Sequence, residues 1–331
     1  MKALIVSRRK ADEASGRADS ERFSSMIEAI RGGGIDGSHV QIETADELAA
    51  AIAVSPPDLV FCAAHALAGP GGREVGAHEL LEKAGVPFVG SPSGTIALAL
   101  SKPALKEAWA ARGIRTPPWF AAYRSPGGGV ELVGAPAALA FPYIVKPASE
   151  GNSRGIDGSS IARDEASLES AIARTTSRYG GAIVEAYLGG FPDAREFTVA
   201  MIGNGSRRLA LPAEILFTGK GPGERIVTTE DKNSNRAVAQ GVAEGALRER
   251  LSSFALAAFE AAGVRDYARC DVFLADGELW AIEINGQPMI PDRWFAACAA
   301  GGGMDKSQYL NAIFLAAIER LESVGPTGGA R

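Results

Sequence analysis

Apolar and polar residues alternate in two runs across residues 269–285, and the rest of the chain is organised around this stretch. The runs flank Asp276-Gly277, a pair that tolerates the positive φ angles of a tight turn, so the pattern predicts a β-hairpin. Glu283 and Asn285 are two residues apart and share a face of the second strand, while Asp271 lies on the first. A strict two-residue turn would place Asp271 and Glu283 on opposite faces. Convergence of the three side chains therefore requires an odd loop or a bulge, and we predict a bulged turn.

The three polar side chains of this hairpin form a set of hard oxygen ligands. Two carboxylates (Asp271 and Glu283) and one carboxamide (Asn285) suit Mg²⁺, which takes its remaining ligands from water and phosphates. The alternative is a solvated polar face on an exposed hairpin, because acidic residues are common at such places. The remainder of the chain has to decide between the two interpretations.

Short apolar runs alternate with helical patterns over the first 100 residues, as is typical of a parallel sheet covered by helices. The pattern predicts strands at 1–7, 40–42, 59–62 and 86–90, helices near 23–30, 45–52 and 79–85, and a polar loop at 8–18. The punctuation at Gly113 to Pro118, after a helix at 103–112, suggests a domain boundary near residue 100.

The second and third parts of the chain have different patterns. Strands at 143–146 and 182–185 enclose a helix at 164–179, and residue 187 ends this unit. Beyond it, Asn204-Gly205 joins two apolar runs in a second predicted hairpin, and helices follow around 247–258 and 310–321. We therefore expect an α/β protein that is α+β in its C-terminal part.

Composition narrows the class of protein. With 331 residues, 46% hydrophobic and 22% charged, the chain is an ordinary globular protein long enough for two or three domains. A net charge of −5 gives no general attraction to nucleic acid or to an anionic membrane, so we expect neither as a partner. The three cysteines lack paired spacing, and no apolar run approaches a membrane span; we expect a cytoplasmic protein.

Four segments, in order, resemble the ATP-grasp superfamily and within it the D-alanine:D-alanine ligases, over about residues 55 to 318. The segments are Ser101-Lys102 with Gly113-Ile114-Arg115-Thr116-Pro117-Pro118, Ile144 to Ile156, Arg195-Glu196-Phe197-Thr198-Val199, and Arg269 to Asn285. The resemblance implies an N-terminal parallel-sheet domain (1–100), a small central lid domain (101–187), a C-terminal antiparallel-sheet catalytic domain (188–322) and a disordered tail (323–331). It also implies a homodimer.

The resemblance implies that ATP is bound by residues from several parts of the chain, from Lys102 onward. Lys102 and Lys146 would contact its phosphates, supplying positive charge that an acidic protein needs locally. A loop over 149–155 would close on the β- and γ-phosphates through backbone N–H groups. The other implied contacts are Glu150, Gly151, Asn152 and Ser153 in that loop, Glu185, Ala186, Tyr187 and Leu188 beside the adenine, Glu196 at the ribose, and Lys232 as a mobile lysine that reaches phosphate.

The same resemblance implies the reaction. Asp271, Glu283 and Asn285 would hold two Mg²⁺ ions, with Mn²⁺ as an alternative, that bridge the phosphates. Arg269 would stabilise an acyl phosphate and the later tetrahedral oxyanion, helped by a backbone N–H near Met289. A carboxylate would be activated as an acyl phosphate, and an amine would then attack it to give an amide, ADP and phosphate.

The substrate half departs from the family pattern. Ser7-Arg8-Arg9-Lys10 replaces a motif whose glutamate binds the first substrate's ammonium, with Asp12, Glu13 or Glu21 as alternative acids, and Met289 replaces a glycine. Arg293-Trp294-Phe295 stands where the family presents Ser-Leu to the second substrate's carboxylate. Arg293 suits a carboxylate and Trp294 an apolar or larger substrate, although these aromatics also fit core packing. His65 is a further candidate for substrate contact, with a structural role as its alternative.

These departures lead us to expect a carboxylate–amine ligase for an amino acid other than D-alanine, as a specialised ligase or cyclase. A D-alanine–D-alanine ligase of cell-wall synthesis and a non-catalytic ATP-binding protein are the alternatives. A dinucleotide-dependent dehydrogenase fits less well, because the glycine-rich loop at 68–72 lacks the Gly-x-Gly-x-x-Gly fingerprint. We also expect the polar loops at 8–18 and 219–236 to close over the site.

Overall fold

A computed structural model of the chain describes residues 1–9, 13–134, 140–221, 225–228, 230–231, 234 and 236–324. It contains three main sheets, which follow one another along the chain. Of the predicted tail (323–331), residues 323 and 324 end the last helix and the others lie outside the described residues, as does Lys232. Among the helices of this described part, none is long and apolar enough to cross a membrane.

The N-terminal sheet is parallel, with strand order β2-β1-β3. Its strands are β1 (Lys2–Arg8), β2 (Asp36–Ile42) and β3 (Leu59–Cys62), and its helices are α1 (Glu13–Arg31), α2 (Ala45–Val54) and α3 (Ala77–Lys83). The apolar run Leu59–Cys62 is buried throughout, as expected of a parallel strand covered on both faces. A small antiparallel pair, β4 (Ala66–Ala68) and β5 (Glu74–Gly76), occupies the glycine-rich loop.

The central sheet is antiparallel, with strand order β7-β6-β10-β8-β9. Helices α4 (Ser93–Leu100) and α5 (Lys102–Ala110) precede it, and its elements are β6 (Trp119–Arg124), β7 (Val130–Val133), β8 (Tyr143–Pro147), β9 (Ile161–Ala162), α6 (Glu165–Tyr179) and β10 (Gly181–Ala186). Helix α6 begins at a capping box formed by Asp164 and Ser167 and ends at Gly180, which has φ of 78°. Its apolar side, Ala171 and Ile172, packs on one face of the sheet and leaves the other face for the site.

The C-terminal sheet is also antiparallel, with strand order β13-β12-β11-β14-β15. Its elements are β11 (Arg195–Ile202), β12 (Leu209–Phe217), β13 (Ala237–Gly241), α7 (Gly245–Ala262), β14 (Tyr267–Ala275), β15 (Glu278–Asn285), α8 (Arg293–Gly301) and α9 (Lys306–Val324). Helix α5 packs on the core of this sheet, where the Trp109 indole N–H donates to Ala258 O at 3.1 Å. Helix α9 packs against α1, so Phe314 and Phe23 belong to one core that joins the N- and C-terminal sheets.

The structure differs from the sequence expectations at several places, and strands β6, β7, β9 and β13 are among the elements that were not expected. Helix α1 begins at Glu13, within the loop predicted at 8–18, because residues such as Glu, Ala and Arg favour helix even where the surface is polar. Residues 86–90 make only one bridge, Phe88 beside Val60, instead of a strand. Helices α4 and α8 were not anticipated. The domain boundaries at residues 100 and 187 stay a proposal.

Asp266 is a buried carboxylate that joins three parts of the chain. Its Oδ1 accepts from Asn204 Nδ2 (2.9 Å) and Arg320 Nε (2.8 Å), while its Oδ2 accepts from the Gly90 N–H and Arg320 Nη2, both at 2.8 Å. The carboxylate thus connects the segment after β3, the β11–β12 connection and α9. Its backbone has φ of 61°, which asparagine also tolerates.

We expect Asp266→Asn to reduce the free energy of unfolding by about 3–5 kcal/mol, because it leaves the Arg320 charge without its carboxylate. Urea unfolding measures the change. Arg207→Gln is the control, since the exposed Arg207–Glu319 ion pair is worth less than about 1 kcal/mol. Equal stability of the two variants would contradict the role given to Asp266.

Candidate functional site

The hairpin of β14 and β15 brings four predicted site residues to one face, but not in the way predicted. Asp276 and Gly277 form a regular two-residue turn with φ of 53° and 69°, so the predicted bulged turn is wrong. The bulge lies within the strands, between Asp271 and Val272 on β14, where Ile282 is the extra residue of β15. This bulge shifts the pairing register by one residue, which is the shift that brings Asp271 and Glu283 to the same face.

Beyond the bulge, Asp271 pairs with Glu283 and Arg269 pairs with Asn285. Directly paired residues of antiparallel strands point to the same side of the sheet. The two carboxylates, the carboxamide and the guanidinium therefore share one face. The convergence expected from the sequence is confirmed at the level of strand register.

Thr198, on the neighbouring strand β11, completes this cluster and was not predicted as a site residue. The Arg269 guanidinium donates to Thr198 Oγ1 (2.5 Å) and to Asp271 Oδ1 (2.6 Å), and the Thr198 hydroxyl donates to Asp271 Oδ1 (2.8 Å). Burial opposes the charge of Arg269, yet Asp271 and Asp292 together raise its pKa above the ordinary value. A sequence signal was available, because Thr198 lies two residues after Glu196 and faces the same side.

Lys102 begins α5 and contacts both the hairpin and the loop predicted to cover the phosphates. Its ammonium lies 3.3 Å from Glu283 Oε2 and donates to Glu150 O at 2.5 Å. Lys102 is buried, so this charge is directed into the site and away from solvent. The structure thus joins a predicted phosphate ligand to a predicted metal ligand.

The loop at 149–155 has a backbone that few sequences adopt. Asn152 and Ser153 both have positive φ, 54° and 57°, a region costly for residues with a Cβ. Gly155 has φ of 74°, and a Cβ there would lie 2.7 Å from the Tyr179 ring and 2.8 Å from Pro147. Residues 152–155 form a turn, and successive backbone N–H groups of a turn can form a concave arrangement that binds anions.

A buried group of three charges lies on the site face of the central sheet. Lys146 on β8 and Glu185 on β10 point to the same face, with Lys146 Nζ 2.8 Å from Glu185 Oε2. Lys106 on α5 approaches from behind, with Nζ 3.1 Å from Glu185 Oε1. Lys106, which is 0% exposed, was not singled out in the sequence, where a lysine on a helix is normally a surface residue.

The electrostatics of these three groups are strongly coupled. Burial alone would raise the pKa of Glu185, but the two ammonium groups outweigh burial and bring this pKa to about 2. Burial likewise opposes the charge of Lys146, whose pKa is nevertheless raised by Glu185, Glu283 and Glu196. Burial lowers the pKa of Lys106 to about 8, with Glu185 opposing and Lys146 reinforcing that shift.

Lys146 and Glu185 line a cavity between the central and C-terminal sheets. Its lining combines an apolar part with a charged part, as a nucleotide requires. Apolar lining comes from Ile144, Leu188, Ile226, Val227 and Phe273, and polar lining from Lys146, Ser153, Glu185, Glu196, Arg269, Asp271 and Glu283. Ala186 and Tyr187 also line it, so all four residues predicted beside the adenine are at the cavity.

The predicted substrate residues are placed unequally. Trp294 lines the cavity, and the Arg293 guanidinium lies 5.2 Å from the centre of the Trp294 ring. Met289 packs against the core shared by the N- and C-terminal sheets. His65 is exposed on the loop after β3 and is not among the residues that line the cavity.

The oxygen donors of the hairpin fit Mg²⁺ better than they fit a metal held by protein alone. Within the described ranges, no group of three His, Cys, Asp or Glu residues could hold a metal ion. Asp271, Glu283 and Asn285 instead offer two carboxylates and a carboxamide on one face, a set that leaves positions open for phosphate and water. Mg²⁺ bound there would offset charge at the phosphates.

Comparisons of the sequence with a family model and with known proteins agree with one another. Residues 109–314 match the family described as D-ala D-ala ligase C-terminus. The D-alanine–D-alanine ligase of Xanthomonas axonopodis pv. citri is 32% identical over 305 residues, which cover 87% of this chain and 90% of that protein. The ligase of Stutzerimonas stutzeri is 29% identical, with 89% and 88% covered.

Solved structures of similar fold include two ligases. The D-alanine–D-alanine ligase from Bacillus anthracis, solved also as an ATP complex, has a TM-score of 0.72 at 19% identity and covers 98% of this chain and 100% of its own. VanG D-Ala:D-Ser ligase from Enterococcus faecalis has a TM-score of 0.69 at 18% identity, with 96% and 99% covered.

The fold and the charged cavity between its two antiparallel sheets are those of an ATP-grasp enzyme that forms C–N bonds. More narrowly, the chain belongs to the D-alanine–D-alanine ligase family, whose members use ATP and Mg²⁺. The resemblance seen in the four sequence segments is confirmed.

We expect Asp271→Asn to raise the Mg²⁺ concentration that half-saturates the enhancement of ADP binding by at least about tenfold, because a carboxylate ligand is lost. Isothermal titration of ADP at several Mg²⁺ concentrations measures it. Asp276→Asn is the matched control, since it removes an exposed carboxylate from the turn of the same hairpin and keeps a residue that tolerates positive φ. The assignment of Asp271 fails if both variants respond to Mg²⁺ as the unchanged protein does.

Proposed function

We propose that the chain is an ATP-dependent carboxylate–amine ligase whose amino-acid substrates differ from a pair of D-alanines. The proposal about the substrates rests on the position of Trp294. Its bulky side chain lines the cavity together with Arg269 and Asp271. An aromatic ring beside the reacting groups favours a larger or more apolar substrate than alanine. Arg293, stacked on that ring, offers a guanidinium for a substrate carboxylate.

In the proposed reaction, a substrate carboxylate oxygen attacks the γ-phosphorus of ATP, and ADP leaves as an acyl phosphate forms. The amine of the second substrate then attacks the acyl carbon, and phosphate leaves as the amide forms. Both steps place negative charge beside the hairpin face. Arg269, held by Thr198 and Asp271, is the fixed cation for the oxyanion of the second step.

The division of the cavity into an apolar and a charged part supports one orientation of the nucleotide. Adenine occupies the apolar part, beside Leu188 and Ile226, and Glu196 accepts from the ribose hydroxyls. The phosphates lie among Lys102, Lys146 and the loop at 149–155, which carries Asn152 and Ser153. Lys232 is proposed to reach the phosphates from the segment over 219–236, of which Arg225 and Ile226 already line the cavity.

The first-substrate end of the site has lost the acidic motif of the family, and its replacements are already paired. The Arg8 guanidinium lies 2.7 Å from Glu74 Oε1, and the Arg9 guanidinium lies 2.9 Å from Glu47 Oε1. These ion pairs hold both arginines on the N-terminal domain.

A D-alanine–D-alanine ligase is the second candidate, favoured by the names of the curated relatives. A non-catalytic nucleotide-binding protein is less well supported, because a decayed site would not keep Asp271, Glu283 and Asn285 on one face. The homodimer and the cytoplasmic location stay predictions, as does closure of the segments 8–18, which includes the start of α1, and 219–236.

We expect Arg269→Ala to lower kcat about 10²- to 10³-fold while ADP affinity changes little, because the guanidinium stabilises charge that develops during the reaction. Steady-state phosphate release and ADP titration give the two quantities. Arg250→Ala is the control, because Arg250 contacts the same hairpin at its turn, donating to Gly277 O at 2.7 Å. Unchanged turnover in Arg269→Ala would exclude the proposed role.

The substrate proposal is tested by measuring phosphate release from MgATP with a panel of D- and L-amino acids and analogues. Mass spectrometry identifies the products. We expect strong release with an amino acid other than D-alanine, and a rise of about tenfold in the KM of that substrate in Trp294→Ala, through lost aromatic contact. Robust D-alanyl-D-alanine formation from D-alanine alone would refute the proposal and favour the second candidate.

A further inference from the structure

Lys106 lies behind the nucleotide cavity, outside its lining, and is not explained by any role described above. It is 0% exposed, and its Nζ donates to Thr116 Oγ1 while lying 3.1 Å from Glu185 Oε1. A fully buried lysine is rare because burial of an ammonium group is costly without a close carboxylate. A helix that needed only packing at this position would be better served by an apolar residue.

The charges around the proposed phosphate position explain why a cation is useful there. Lys146 interacts with three carboxylates, those of Glu185, Glu283 and Glu196. Three lysines, Lys102, Lys106 and Lys146, belong to the same cluster of charges. The cluster therefore holds three positive charges and the three negative charges of these carboxylates. Without Lys106 the group is net negative, which opposes the binding of a polyanion.

Glu185 is the carboxylate that Lys106 and Lys146 share, with one oxygen directed to each. If Lys106 were absent, both oxygens of Glu185 would be available to Lys146 alone, and the positive charge of Lys146 would be offset within the pair. With Lys106 present, the group formed by Lys106, Lys146 and Glu185 carries a net positive charge. Lys146 can then direct an N–H toward a ligand without leaving Glu185.

We propose that Lys106 is a positioning residue for nucleotide binding, which holds one oxygen of Glu185 from behind the cavity so that Lys146 remains available to the phosphates. The inference rests on the proposed placement of the phosphates at Lys146. It adds to that placement a residue that contacts neither nucleotide nor metal.

The proposal predicts a pH dependence that needs no variant. The groups facing Lys106 are Glu185 from β10, Lys146 from β8, Lys102 from its own helix and the Thr116 hydroxyl. Glu185 has a pKa of about 2 and the pKa of Lys146 is raised, whereas that of Lys106 is about 8. Lys106 therefore carries its charge below pH 8 and loses it above, so ADP affinity should fall as pH rises from 7 to 9.

The test is equilibrium titration of the full-length protein with ADP in the presence of EDTA, at pH 7 to 9. We expect the unchanged protein to lose affinity about tenfold over this range, and Lys106→Met to bind about tenfold more weakly at pH 7 with little further loss to pH 9. Trp109→Phe is the structural control, since it removes the indole N–H that ties the same helix to Ala258. It should keep the affinity and pH profile of the unchanged protein.

Lys146→Met separates this inference from the proposed site. If Lys146→Met binds ADP normally, the placement of the phosphates is wrong. If Lys146→Met weakens ADP binding, the placement of the phosphates stands and Lys106 can be judged separately. The role of Lys106 is then overturned by either of two results. One is that the unchanged protein loses no ADP affinity between pH 7 and 9, and the other is that Lys106→Met keeps full affinity and the same pH profile.

Discussion

The site depends on a one-residue shift of register inside the β14–β15 hairpin. The regular turn at Asp276-Gly277 fixes the first pairs, and without a bulge Asp271 would oppose Ile282 and Glu283 would point to the other face. Ile282 absorbs the mismatch, so both carboxylates and Asn285 converge beside Arg269. The antiparallel sheet holds these side chains on adjacent strands, and Thr198 on the third strand hydrogen-bonds to both Asp271 and Arg269. A single extra residue thus brings two carboxylates, a carboxamide and a guanidinium to one face of the hairpin.

The opposite wall of the cavity depends on charge balance. Lysines from two parts of the chain, Lys102 and Lys106 on α5 and Lys146 on β8, meet acidic residues of both antiparallel sheets. Each buried charge is stabilised only by its partners, since isolated charges would be far too costly. The protein can therefore be acidic overall while its cavity accepts a nucleotide. Helix α5 links the two walls, because Lys102 contacts the hairpin and Lys106 contacts the central sheet.

Much of the fold was predictable from sequence, because strand and helix periodicities are local properties. The alternation before residue 100, the hairpins at 204–205 and 276–277, and the helix at 164–179 all follow from short stretches. The bulge at Asp271 was not placed correctly, since register depends on which face is buried in the finished sheet. Lys106 was missed because burial of a helical lysine depends on Glu185, 79 residues away, and nothing near it signals that partner. Phe88 formed one bridge and no strand because pairing is decided by tertiary neighbours.

The two halves of the site differ in how far they follow the family. The nucleotide half keeps its lysines and its oxygen ligands, while the substrate half presents Arg293, Trp294 and Met289. We propose that phosphate and metal meet on the hairpin face, and a crystal structure of the complex with Mg²⁺ and ADP would show where each one binds. We expect Mg²⁺ to be bound by Asp271, Glu283 and Asn285, with Lys146 on a phosphate. Phosphates bound away from that face would overturn the proposal.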